Sequence, residues 1–275
     1  MDLYTQTAYE NATQLTLRYS SSFSSSSRLF SPAIRRYIYG IYGFVRIADE
    51  IVDTYKGPHA ATILDELEHD AYRAIKLGYS ANPIVHAFAD AARRFQIDTV
   101  LIAPFFDSMR LDLQPRRYTA AMYSRYIHGS AEVVGLMCLR VFCGQEQSLY
   151  AALRPGAEKL GAAYQKVNFL RDLASDYQAL GRLYFPGVTY DQFDEAAKAA
   201  VIADITADFA AAYPAIVQLP TTSRGAVMTS YVYYRSLLNK LDRASVETIK
   251  TSRLRLSSPA KLALLSSAIV RSKIT

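Results

Sequence analysis

At 275 residues, 51% of them apolar, the chain is long enough to bury a sizeable core and too apolar to be disordered. Two cysteines, Cys138 and Cys143, and four scattered histidines, His59, His69, His86 and His128, form no disulfide or metal-ligand pattern, which excludes a zinc site and points to a reducing cytoplasm. The net charge of +6 is localised: from Lys240 onward, Lys240, Arg243, Lys250, Arg253, Arg255, Lys261, Arg271 and Lys273 face only Asp242 and Glu247, so the remainder is neutral overall.

Helical periodicity recurs along the chain and strand alternation is absent, so the expected fold is all-α. Helices are expected at about residues 5–19, 32–55, 60–77, 84–95, 99–112, 119–143, 147–179, 192–212, 214–242 and 258–272. Pro32, Pro58, Pro83, Pro155, Pro214 and Pro259 stand near expected starts, whereas Pro104 and Pro220 call for a break or kink. With no Gly- or Pro-rich linker, residues 1–275 read as one domain. There is no N-terminal signal pattern, and no apolar run approaches the roughly 18 residues of a spanning helix.

The first functional signal is the run from Ser20 to Ser27, interrupted by Phe23, just ahead of helix 32–55. It reads equally as a flexible cap or as a set of hydroxyls and N–H groups for phosphate oxygens. Inside the helix, Arg46, Asp49, Asp53 and Lys56 are spaced i, i+3, i+7 and i+10 and share one face. Two carboxylates one turn apart can hold a hard divalent cation together with water and substrate phosphates. Their flanks, including Ile38, Tyr42, Phe44, Val45 and Val52, are apolar, so the charges are either a structural ion pair or a functional group.

Further on, residues 123–142 are apolar on nearly all sides yet carry Gly129, Ser130, Ala131 and Gly135 in mid-helix. Glycine there usually marks close approach of a neighbouring helix or of a ligand. A second stripe follows: Gln165, Asn168, Asp172 and Asp176 at i, i+3, i+7 and i+11, with Arg171 alongside. Two antiparallel helices facing each other with these stripes would enclose four carboxylates, which repel strongly unless divalent metal is bound. Arg46, Gln165 and Asn168 then suit a diphosphate. The segment Gly181 to Pro186 is expected to close one end of the bundle.

The pieces SSSFSSSSRLF (20–30), YGFVRIADEIVD (42–53), GSAEVVGLM (129–137), QKVNFLRDLASD (165–176) and GRLYFP (181–186) resemble, in order and spacing, the squalene/phytoene synthase family of head-to-head prenyltransferases. The likeness runs from about Ser20 to Leu262. It implies an all-α isoprenoid (terpenoid) synthase bundle with a central cavity and two aspartate-rich motifs. By this resemblance Asp49, Asp53, Asp172 and Asp176 coordinate Mg²⁺ (or Mn²⁺) on a prenyl diphosphate. Arg46, Gln165 and Asn168, with Ser20 and Ser22, contact the diphosphate; Tyr42 and Phe23 line the cavity near the reacting carbons. Asp112 matches a family acidic position, although Ser108 replaces a common glycine. A family tyrosine near the C-terminal helix aligns with Val246, which leaves Tyr231, Tyr233 and Tyr234 in competition.

The DEIVD form and GSAEVVG look closest to phytoene synthases. They imply condensation of two geranylgeranyl diphosphates to phytoene through a cyclopropyl (prephytoene) diphosphate, without NADPH. One alternative is a C30 synthase making dehydrosqualene, or squalene with NADPH, from farnesyl diphosphate. Another is a non-catalytic helical protein at a membrane surface. The lipophilic substrate implies a cytoplasmic protein that touches the inner membrane face through its basic C-terminal region or an apolar patch. No nucleic-acid motif is present, and nucleic acid is not an expected partner.

Overall fold

Most helix starts are written in the sequence as a side-chain acceptor followed by a helix former. In α1 (Leu3–Tyr19) the Asp2 carboxylate accepts from the Thr5 N–H at 2.8 Å; in α2 (Pro32–Asp53) Ser31 caps and Pro32 fills the first position, where its missing N–H is harmless. Helix α3 (Ala60–Leu77) stops at Gly78, whose φ of 77° lies in the left-handed region that glycine tolerates. Asn82 caps α4 (Pro83–Phe95), Asp98 caps α5 (Thr99–Leu111), and Thr119 caps α6 (Ala120–Ile127). A π turn, His128–Glu132, joins α6 to α7 (Val133–Cys143). Then come α8 (Gln147–Leu180), α9 (Glu195–Val217), α10 (Thr221–Arg243) and the short α11 (Val246–Thr251). The computed structural model describes residues 1–20, 26–55, 57–114, 118–180 and 184–257. Ser22, Phe23, Lys56, the Gly181–Leu183 part of the expected closing loop and the expected helix 258–272 lie outside the described residues.

Several expectations are corrected. The expected helix 119–143 is divided by the π turn, where His128 Nδ1 and Glu132 Oε2 pair at 2.8 Å, giving Glu132 the partner it needs. Pro104, Pro155 and Pro214 lie inside helices, and the break between α9 and α10 falls at Pro220. The glycines of residues 123–142 allow close helix packing, since a Cβ on Gly129 would strike the Pro104 carbonyl of α5 and one on Gly135 would sit 3.2 Å from the Ala157 carbonyl of α8, and Gly135 also borders a cavity. Two helical stretches, 120–143 and Glu195–Val217, are long and apolar enough to cross a membrane by length and composition alone. The sequence disguises this because each stretch carries a few charges. Here Lys198 and Asp208 of α9 turn inward and are 7% and 4% exposed, leaving alanines outward.

Two hydrophobic clusters build the bundle. The first joins α1 through α5 to α7 and is centred on Phe44, Phe88, Phe105 and Phe106, all buried, with Phe44 and Phe88 stacked at 3.9 Å. The second joins α6, α8, α9, α10 and α11 and is richer in tyrosine: Tyr126 and Tyr184 surround Phe169, which stacks on Tyr184 at 3.9 Å. Helix α7 packs on both α2 and α8, while α2 and α8 make no extensive contact with each other. The space between them is the cavity.

Candidate active site

A cavity of about 730 Å³ runs along α2, α7, α8 and α10. Its lining on α8 extends from Leu153 to Arg171, a rise of about 27 Å along the helix axis. One end is apolar, where Phe30 stacks on Phe142 at 5.4 Å near Leu153, Ile216 and Leu219. The other end is polar and collects Ser20, Tyr42 and Arg46 from the first stripe side with Gln165, Asn168 and Arg171 from the second. The mouth thus takes Arg46 from the first stripe and Gln165 and Asn168 from the second, while the four aspartates are not in its lining. Asp49, Asp53, Asp172 and Asp176 are half-buried just beyond that lining, each on the same helix as the cavity residues that precede it.

The first stripe sits in the last turns of α2, the negative end of the helix dipole, where carboxylates are disfavoured and no basic residue follows within the helix. Arg46 offsets this by binding Asp49 at 2.6 Å and also Glu50, while its guanidinium lies 4.6 Å from the Tyr19 ring centroid. Its Nε is buried with no hydrogen-bond partner, a donor suited to a phosphate oxygen. Tyr42 is held as a phenol: burial raises its pKa most, the Ser20 hydrogen bond and Arg46 oppose that, and Asp49 adds to it.

The second stripe is held from two directions. Arg171 binds Asp172 through Nε at 2.8 Å and Nη2 at 2.5 Å, and Arg253, 81 residues further on, binds the same carboxylate at 2.7 Å and 3.1 Å. Among the competing tyrosines the geometry favours Tyr234. Its hydroxyl donates to Asn168 Oδ1 at 3.4 Å, and its pKa is raised by burial against the pull of Arg171 and Asn168. Tyr233 also lines the cavity, whereas Tyr231 packs on Phe209 and Val246 opens α11. Asp112 is buried and accepts from Tyr126 at 2.6 Å, away from the cavity lining. Cys138 lines the cavity, but burial pushes its thiol up to about 12, so it stays protonated and a poor nucleophile.

Among the described residues no group of three or more His, Cys, Asp or Glu side chains is gathered for one ion. The enclosed cluster of four carboxylates expected from the sequence is thus not gathered among the described residues, and arginines lie against Asp49 and Asp172. Asp49 with Asp53, and Asp172 with Asp176, are each about one turn apart on a helix that lines the mouth, and offer the oxygen donors Mg²⁺ takes, one or two carboxylates completed by water and phosphate oxygens. Sequence reasoning read Arg253 only as one of a basic run open to substrate phosphates, a membrane surface or solvent, without linking it to Asp172, and it missed Glu50, adjacent to the stripe.

The class is defined by the fold. The chain is similar to a dehydrosqualene synthase solved with a ligand (TM-score 0.81, 21% identity, 98% of each chain) and to squalene synthase HpnC from Alicyclobacillus acidocaldarius (TM-score 0.77, 20% identity, 88% of this chain and 96% of that one). That is the all-α isoprenoid synthase fold. In sequence, residues 16–260 match the family described as squalene/phytoene synthase, and the chain belongs to that family of prenyltransferases. It is 34% identical to a phytoene synthase from Arthrospira platensis over 65% of this chain and 61% of that protein. It is 36% identical to 15-cis-phytoene synthase from Synechocystis sp. over 68% of this chain and 58% of that protein. With phytoene synthase 2 of Solanum lycopersicum the identity is 27%, over 97% of this chain and 91% of that protein. The chain thus spans about three-fifths of the length of the two cyanobacterial relatives.

Proposed function

We propose that this protein condenses two geranylgeranyl diphosphates head to head into phytoene, through a cyclopropyl diphosphate, in carotenoid synthesis. The observation that carries the reading is the joining of a cationic, amide-lined mouth to a long apolar cavity. Arg46, Gln165, Asn168 and Arg171 supply donors for a diphosphate, and Asp49, Asp53, Asp172 and Asp176 would hold Mg²⁺ or Mn²⁺. When bound, the metal neutralises the diphosphate and helps it leave as an allylic cation forms. The chain's own part is to orient both prenyl tails along α2 and α8 and to exclude water, which would quench the cation. Tyr42 and Tyr234, held as phenols at the mouth, add hydrogen-bond donors there.

The sequence relatives named as phytoene synthases favour the C40 product; the dehydrosqualene and squalene synthases among solved structures favour a C30 product from farnesyl diphosphate. Incubation with each prenyl diphosphate, with and without Mg²⁺ and NADPH, separates them by product mass. A C40 hydrocarbon that needs Mg²⁺ but not NADPH is expected. A C30 product would transfer the mechanism to the shorter substrate, and no hydrocarbon from either would leave the non-catalytic reading. The proposed setting is the cytoplasm, with peripheral contact to the inner membrane face.

A further inference from the structure

Asp172 is over-engaged for a metal ligand. A carboxylate offers about four lone-pair sites. Here Oδ1 meets the Nε groups of Arg171 and Arg253, and Oδ2 meets an Nη2 of each. Two two-pronged guanidinium contacts therefore fill the group, and a cation can bind only if one of them withdraws. Arg171 is fixed: it adjoins Asp172 on α8 and its side chain is 18% exposed. Arg253 is 47% exposed and follows α11 on an extended segment. That segment is anchored on both sides of Arg253, since Tyr190 Oη donates to the Lys250 carbonyl and Lys240 Nζ to the Arg255 carbonyl, both at 2.8 Å. The side chain is thus the part free to move, and Arg253 lines the same mouth as Gln165, Asn168 and Arg171.

We propose that Arg253 is a positioning residue that holds Asp172 until metal and diphosphate arrive, then yields the carboxylate to the metal and transfers its guanidinium to the diphosphate. The proposal rests on the metal-binding reading given above. It differs from a structural role in predicting opposite effects on two ligands: removing Arg253 frees Asp172 for the cation but takes a donor from the anion. A purely structural arginine would weaken both.

The test measures Mn²⁺ binding by electron paramagnetic resonance, and inorganic pyrophosphate binding in the presence of Mg²⁺ by calorimetry, on the full chain and its Arg253→Gln and Arg253→Lys variants. Arg253→Gln is expected to bind Mn²⁺ about tenfold more tightly without pyrophosphate, and Mg²⁺-pyrophosphate about tenfold more weakly, the low end for charge-assisted hydrogen bonds. Lysine keeps the charge but not the two-pronged contact, so it should fall between. If glutamine proves unfolded by its melting curve, Arg253→Lys decides by the same two readings. Unchanged Mn²⁺ affinity in a folded variant, or weakening of both ligands, overturns the proposal while leaving the metal site standing. If the unaltered protein takes up no Mn²⁺ even with pyrophosphate, the metal reading fails and this proposal falls with it.

Discussion

The two carboxylate stripes have the same spacing, yet the halves of the molecule that carry them are built differently. The first stripe emerges from a dry cluster of stacked phenylalanines, and Arg46 reaches Asp49 from one turn away on the same helix. The second emerges from a tyrosine-rich half that also buries charge: Asp208, 4% exposed, takes Lys159 at 3.0 Å and Lys166 at 2.7 Å, and Lys198 donates to the Asp242 and Ala244 carbonyls. There Asp172 is reached by Arg253 across 81 residues of chain. At the stripes themselves, then, the first is held by an arginine of its own helix, whereas the second is held also by one that folding brings to it.

The largest effect should come from removing either stripe. Asp49→Ala or Asp172→Ala is expected to lower hydrocarbon formation by roughly 1000-fold, the size of losing one preorganised electrostatic group. The melting temperature should stay close to that of the unaltered protein for Asp49→Ala, whose side chain is 34% exposed, and should fall for Asp172→Ala, which strips Arg171, 18% exposed, of its partner. Near-normal product from either variant would refute its place in the metal site.

Stability should separate the halves next. Phe44→Ala removes a fully buried ring from the dry cluster and should cost about 3–5 kcal/mol. Asp208→Ala leaves Lys166, whose side chain is 12% exposed, without its buried partner, and should cost about 1–3 kcal/mol, less than a fully enclosed pair because Lys159 and Asp204 reach water. Urea unfolding of both checks the order; a larger loss at Asp208 would mean that the polar half depends more on its ion network than the dry half does on packing.

How much of this was legible follows the same division. The stripes could be read because helical spacing alone puts Arg46, Asp49 and Asp53 on one face, as it does Gln165, Asn168, Asp172 and Asp176. The cavity residues Tyr42 and Ser20 followed from the family resemblance. Arg253 could not be read, because its role comes from a contact made across the chain and its neighbours in sequence are equally basic. Nor could the π turn, and at Gly129 the missing Cβ matters only because the Pro104 carbonyl of α5 packs against it. Pro214 misled for the opposite reason: a local rule placed it at a helix start, and the structure carries α9 through it. Short-range physics was readable where partners lie on one helix and opaque where folding supplies them.

The smallest effect tests the polar half at its surface. Glu195 opens α9, where its carboxylate pairs with Lys198 Nζ at 2.6 Å and accepts from the Val246 N–H at 2.8 Å, joining α9 to α11. The Lys198 bond first, and the Val246 bond after it, hold its pKa below the usual glutamate value. A lowered folded-state pKa contributes stability above the unfolded value and loses it as pH falls through the folded value. Glu195→Gln keeps an acceptor for Val246 but removes the charge. Melting temperatures of the two proteins should therefore differ most near pH 6 and converge only as pH falls below the usual glutamate pKa of about 4.3 and on through the lowered folded value. A difference that stays constant across that range would show that the α9–α11 junction relies on hydrogen-bond geometry alone, with the ion pair contributing nothing to it.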